Sequence, residues 1–267
     1  MSSFPIETLK RDELFQAKPL SEGVVLIGCL NLTLVPPSFV DIYWSLLAED
    51  ERNRADRFAF PSLRAKYVLS RGILRTLLGR LLGLKAQALN FSYGEAGKPF
   101  LPSGPHSLEF NLSHSGEMVA YAFTKCGLVG IDIEQRRELR DLEGIAERFF
   151  GPVEYQELMS LDPTSQQLAF FNCWTRKEAY IKAVGGGLSI PLDSFRVSLL
   201  SGQAAALLDL ESDCNEARQW SMLDFNPAPD YCGAIAVRTG GPQMRPVIVD
   251  LSFLCCEPQD GTSLSTP

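Results

Sequence analysis

The sequence predicts an α+β protein built as two similar halves. Three observations lead there. The 267 residues are 45% hydrophobic, enough to bury the core of one large domain or two ordinary ones. Two long stretches, residues 63–82 and 164–184, carry helical periodicity. Each half also runs in the same order, from a strand through helices to several strands, and the halves meet near residue 127, although no strict repeat is visible. The expected division is 1–127, 128–256 and a polar tail over 257–267.

The elements follow in order. Gly23–Leu34 is β-rich and bounded by glycine and Pro36-Pro37, which predicts a strand. Phe39–Arg57 predicts one helix with Glu49, Asp50, Glu51, Arg52 and Arg54 on its exposed side. Ser62 suits an N-cap for a helix from Leu63 to about Leu82, whose Ile73, Leu74, Leu77, Leu78 and Leu81 recur at core spacing. Arg64, Arg71 and Arg75 share one face of it. Asn90–Tyr93 is extended, and Gly94–Pro105, with three glycines and three prolines, is loop. Leu108–Leu112 and Met118–Thr124 predict strands around a Ser-His-Ser-Gly turn, and Leu128–Glu134 predicts a third. Helix covers 142–161. Thr164 and Gln167 form a capping box for the next helix, which stops at Gly185-Gly186-Gly187. Later strands are expected at Phe195–Leu200, Gln219–Phe225 and Cys232–Arg238. The tail 257–267 is rich in Pro, Gly and Ser and is expected to be disordered.

Composition excludes several classes. No run of 18 apolar residues occurs, so no membrane span is expected. The N-terminus lacks a basic segment followed by an apolar one, so no signal peptide is expected. Seven scattered cysteines without Cys-x-x-Cys spacing fit reduced thiols of a cytoplasmic protein. With only His106 and His114, a zinc site is not expected, and His106 receives no role. Net charge is −7, yet residues 51–100 hold ten Lys/Arg against three acids. That basic window suits a compact polyanion such as a nucleotide better than a long nucleic acid, and it equally describes a solvated helix face.

Two segments carry chemistry. In Gly130-Ile131-Asp132-Ile133-Glu134, strand alternation puts both carboxylates on one face. Two such acids fit Mg²⁺ between them, or a solvated strand face. In Trp174-Thr175-Arg176-Lys177-Glu178-Ala179-Tyr180-Ile181-Lys182, helical spacing aligns Trp174, Glu178 and Lys182. Phe170, Phe171, Tyr180 and Ile181 leave that helix little solvent face, so Glu178 and Lys182 need partners. Three acids and a lysine form a set that holds a divalent cation against a phosphate. His114 and the Ser113 hydroxyl can donate to phosphate oxygens, and Lys98 offers a charge on the stiff Gly97-Lys98-Pro99 turn.

In this order, Gly97-Lys98-Pro99, Asn111-Leu112-Ser113-His114-Ser115, the 130–134 segment and the 174–182 segment resemble the Sfp-type 4′-phosphopantetheinyl transferases. Gly185-Gly186-Gly187-Leu188-Ser189 and Pro191-Leu192-Asp193-Ser194-Phe195 extend the likeness, which covers about residues 20–240. The resemblance implies a pseudo-dimeric fold with the active site in the cleft between the halves. It implies transfer of the 4′-phosphopantetheine arm of coenzyme A to a serine of an acyl or peptidyl carrier protein, with Mg²⁺ as cofactor and adenosine 3′,5′-bisphosphate as product. It makes Asp132, Glu134 and Glu178 the metal ligands, with Glu134 or Glu178 as the base. Lys182 stabilises the pyrophosphate, and Arg54, Arg57, Lys98, Ser113 and His114 contact coenzyme A. Glu51 and Tyr67 depart from the family pattern where a basic residue and a small hydroxyl are expected. Charge complementarity to an acidic carrier nominates Arg136, Arg137, Arg140, Phe149 and Phe150. An internally duplicated chain suffices as a monomer. The rival reading is a non-catalytic module binding coenzyme A or a nucleotide, which need not keep all three acids. A generic nucleotidyl transferase lacks a phosphate-binding glycine loop.

Overall fold

The chain alternates segments of apolar period 2 with two 22-residue stretches of period near 3.6, and it buries both kinds against each other. The structure, a computed structural model, describes residues 7–9, 20, 23–102, 108–210, 215–241 and 243–255. The expectations for His106 and for the tail 257–267 lie outside these residues.

The first half comprises β1 (Glu7–Leu9), β2 (Val24–Asn31), α1 (Phe39–Leu46), α2 (Glu49–Ala55), α3 (Pro61–Leu82), β3 (Ser92–Tyr93), β4 (Pro99–Phe100), β5 (Glu109–Ser115) and β6 (Met118–Thr124). The second comprises β7 (Val129–Gln135), α4 (Leu142–Phe149), α5 (Pro152–Met159), α6 (Pro163–Val184), β8 (Phe195–Val197), β9 (Leu207–Leu210), β10 (Trp220–Phe225) and β11 (Tyr231–Arg238). A last strand, β12 (Arg245–Asp250), returns to the first half. It pairs in parallel with both β1 and β2, so the five-stranded sheet runs β1-β12-β2-β6-β5. The expected cut at 127 therefore does not hold at the chain's end, because parallel pairing beside β2 recruits a strand from beyond β11.

The three-stranded antiparallel sheet runs β10-β11-β7. Strand alternation distributes each sheet's side chains between two cores. Leu26, Leu30, Tyr121 and Phe123 face α1 and α3. Val25, Ile27, Ala120 and Ala122 face inward to meet Ile131, Ile133, Ile235 and Val237 of the second sheet. Ala234 and Ala236 face α6. The layers are thus helix, sheet, sheet, helix, with an apolar core joining the halves.

Several boundaries differ from the sequence expectations. Residues 39–57 form two helices, because Leu47 and Ala48 are extended and Glu51 reaches back to the Ala48 N–H at 3.0 Å. α3 starts at Pro61, where a missing N–H costs nothing, with Phe60 as its cap rather than Ser62. α6 starts at Pro163 with Asp162 as the cap, accepting from the N–H groups of Thr164 and Ser165 at 3.1 and 3.2 Å. Gly83 (φ 67°) and Gly185 (φ 81°) stop the two long helices in left-handed conformation. Ser113-His114-Ser115 lies in strand β5, and only Gly116 and Glu117 make the turn.

Candidate active site

Gly130 is the reason the two chemical segments meet. A Cβ there would stand 2.0 Å from the Ala179 carbonyl oxygen and 2.4 Å from the Ala183 nitrogen. Only glycine lets α6 lie this close on β7. The face of β7 toward α6 carries Asp132 and Glu134, whose partners across the sheet are Ala234 and Cys232. α6 meets that face with Glu178 and Lys182.

Lys182 Nζ donates to Asp132 Oδ1 at 2.5 Å and to Ser113 Oγ at 3.1 Å. Ser113 Oγ donates to the same Oδ1 at 2.9 Å, while Asp132 Oδ2 is buried with no hydrogen-bond partner among the described residues. Ser115 Oγ donates to Glu134 Oε2 at 2.7 Å. No such donor holds Glu178 among the described residues. Burial raises the pKa of all three acids, against the pull of Lys182. The charges of Asp132 and Glu134 also raise Glu178. Like charges gathered away from water call for a cation. The acids do not themselves stand as a preformed ligand cluster among the described residues. The orphaned Oδ2 and the hard oxygen donors nonetheless fit a divalent cation such as Mg²⁺.

Beside the acids, a cavity of about 390 Å³ opens between the halves. Arg54, Lys66, Arg71, Lys98, His114 and Lys182 line it, with the glycines 97, 116, 185 and 187. No acid does. A second hollow of about 570 Å³, sharing Arg54, Phe58 and Gly97, adds Arg57, Tyr93 and Asp50. Arg54, Lys98, His114 and Lys182 therefore come together around one cavity, and Arg57 lines the adjoining hollow. His114 sits at the rim, where the desolvation it suffers and the Lys182 ammonium lower its pKa.

Other expectations shift. Ser113 does not face the cavity. It is 3% exposed, and its hydroxyl serves Asp132 and accepts from Ile133 N–H. The Lys98 amine is held by the carbonyls of Val129 (2.9 Å) and Ala183 (3.0 Å), and burial lowers its pKa to about 8. Glu51 is fully buried rather than on an exposed face. It accepts from Arg71 at 2.8 Å and Arg75 at 2.5 Å, so much of the basic window is consumed internally. Tyr67 and Ser70 both line the cavity, although the Ser70 hydroxyl donates to Lys66 O. Of the nominated docking residues, Arg137 and Arg140 are exposed. Phe150 is core, and Phe149 packs edge-on against Trp174.

Sequence reasoning missed Glu154, Arg176 and Lys177. Lys177 is fully buried against Glu154 at 2.7 Å and also donates to Leu192 O and Phe195 O. Arg176 forks onto Asp224 and reaches Ser198. The position of Arg176 and Lys177 directly before Glu178 on α6 was visible, but their partners are remote in sequence.

Two family models match the chain: the 4′-phosphopantetheinyl transferase superfamily over residues 128–236, and the N-terminal part of 4′-phosphopantetheinyl transferase over 37–126. The 4′-phosphopantetheinyl transferase HetI of Nostoc sp. is 38% identical, over 79% of this chain and 86% of its own. A 4′-phosphopantetheinyl transferase of Bacillus subtilis is 31% identical, over 74% of this chain and 90% of its own. Another from that species, Sfp, is 37% identical, over 64% and 76%.

Proposed function

The chain belongs to the 4′-phosphopantetheinyl transferase superfamily, and within it we propose that coenzyme A lies along the basic cavity with its pyrophosphate at Lys182. The single observation that carries this reading is the double role of Lys182. Its side chain lines the cavity, and its ammonium holds Asp132. A phosphate bound by the cavity's basic wall is thereby brought to the carboxylate set. Arg54, Arg57 and His114 receive the 3′-phosphate end, and Lys98 leaves its carbonyls to take a phosphate oxygen. Membership in a family of transferases leaves the non-catalytic binding module without support.

Asp132 and Glu134 would hold Mg²⁺, which when bound neutralises charge on the pyrophosphate. The serine hydroxyl of a carrier protein attacks the β-phosphorus. The bond from that phosphorus to the bridging oxygen breaks, and adenosine 3′,5′-bisphosphate departs. Glu178 takes the serine proton. Its carboxylate accepts no hydrogen bond among the described residues, and burial raises its pKa, both of which favour a base over a fixed ligand. Lys182 balances the charge that develops on the leaving oxygen. Arg137 and Arg140, exposed next to the acids in sequence, face an acidic carrier. The five described cysteines are free thiols, which supports a cytoplasmic protein, and no described helix is long and apolar enough to cross a membrane. Both halves of the cleft come from one chain, which supports a monomer.

The test is the mass of an apo carrier protein incubated with coenzyme A, Mg²⁺ and this protein. A phosphopantetheine increment is expected, lost with EDTA and with Asp132→Ala. An increment that survives EDTA would remove the metal from the reading, and none on several diverse carriers would remove the carrier.

A further inference from the structure

The two halves meet along a seam that is not a backbone ladder. β7 is an edge strand of its sheet, and β5 is an edge strand of the other. Three N–H groups of β7 are satisfied by side chains of β5. Asn111 Oδ1 accepts from Ile131 N (3.0 Å), Ser113 Oγ from Ile133 N (3.3 Å) and Ser115 Oγ from Gln135 N (3.1 Å). Both numbers advance by two at each rung, so the strands run parallel with every second side chain bridging them.

The rungs differ in one chemical respect. An amide carbonyl that accepts an N–H has no proton on that atom to give. A hydroxyl that accepts one still carries its own proton and directs it elsewhere. On β7 the residue before each bridged N–H is Gly130, Asp132 or Glu134. The asparagine rung falls beside the glycine, and the two serine rungs fall beside the two acids. Each serine proton goes to its neighbouring carboxylate, Ser113 to Asp132 Oδ1 and Ser115 to Glu134 Oε2.

We propose that Ser115 is a positioning residue for Glu134: its hydroxyl converts the register of the seam into the placement of a metal-binding carboxylate. The inference rests on the proposed Mg²⁺ reading. Asp132 has Lys182 as a second anchor, so Ser113 shares its task. Glu134 is only partly buried, and its carboxylate has no other hydrogen-bond donor among the described residues. Ser115 is also partly buried and is the last residue of β5.

The experiment compares Ser115→Thr with Ser115→Val, side chains of the same size with and without the hydroxyl. Mg²⁺ is titrated calorimetrically into each protein in the presence of adenosine 3′,5′-bisphosphate. The carrier assay is run in parallel at varied Mg²⁺ and varied coenzyme A. Thermal melting of both variants checks the fold. The valine variant should bind Mg²⁺ roughly tenfold more weakly, as for the loss of a hydrogen bond to a charged group. It should need correspondingly more Mg²⁺ for half-maximal rate while keeping its KM for coenzyme A. The threonine variant should behave as the parent. Equal Mg²⁺ affinity in the valine and threonine variants would overturn the positioning role alone. Absence of Mg²⁺ binding by the parent itself would overturn the metal reading and this proposal with it.

Discussion

The two 22-residue helices, α3 and α6, are built alike and used differently. Each starts on proline and ends on a left-handed glycine. Each is preceded by a short helix whose glutamate, Glu51 in α2 or Glu154 in α5, accepts from the N–H of its own cap residue, Ala48 or Gly151. In both cases that glutamate also pairs with the fifteenth residue of the long helix, Arg75 or Lys177, and every member is essentially inaccessible to solvent. The next residue is where the halves part. In α3 it is Thr76, whose hydroxyl bonds back to Gly72 O. In α6 it is Glu178. The glycines that permit close packing differ too. Gly72 sits in α3 and admits Tyr43, while Gly130 sits in β7 and admits the backbone of α6. Buried charge is therefore the shared scaffold. The proposed chemistry belongs to the half in which the helix backbone itself rests on an acid-bearing strand.

Four experiments break or sharpen that contrast. The largest effect is expected at the parting position. Glu178→Gln should lower transfer about 10²- to 10⁴-fold, as for loss of a proton acceptor, with unchanged melting. Thr76→Ala should leave the rate unaltered, and comparable losses in both would erase the division of labour. The paired scaffold acids come next. Glu51→Ala and Glu154→Ala each strand buried cations and should each cost roughly 3–5 kcal/mol in denaturant unfolding. A cost in only one would show that the duplication is geometric and not energetic.

Gly130→Ala should cost about 1–3 kcal/mol and also activity, because its Cβ meets immovable backbone. At Gly28→Ala the nearest atoms belong to the Leu251 side chain, from 2.8 Å away, and the effect should be milder. Equal melting temperatures for the two would deny the close helix–strand approach. The smallest effect concerns Lys98. Its folded pKa of about 8 lies below the ordinary 10.5. Between those values the unfolded chain binds more protons than the native one, so this group's contribution to stability rises with pH across that window. The parent's stability relative to Lys98→Met should therefore increase from about pH 8 to about pH 10. A constant difference would mean that the amine is not desolvated.

Much of the site was legible before folding. Asp132 and Glu134 are two apart in a strand-forming run, and Glu178 and Lys182 are four apart in a helical one, so local period alone assigned their faces. The breaks that were missed depended on contacts. Residues 39–57 read as one helix because the capping reach of Glu51 and its burial against Arg71 and Arg75 are set by α3. Arg71 and Arg75 read only as sharing a helix face with Arg64, because the buried glutamate that pairs with both lies twenty or more residues away. β12 went unseen because its parallel partners lie at the other end of the chain.

By itself the sequence determined the α+β character, the two long helices and their glycine stops, and the acids and lysine of the site. These follow from side-chain period and backbone freedom, which are local. Only the tertiary structure decided which charges were spent on scaffolding and which stayed on the cavity wall. It also turned Ser113 and Ser115 from presumptive ligand contacts and turn residues into donors to the two strand acids. A hydroxyl's single proton goes to whatever acceptor the seam brings near, and that seam joins strands whose register no local pattern sets.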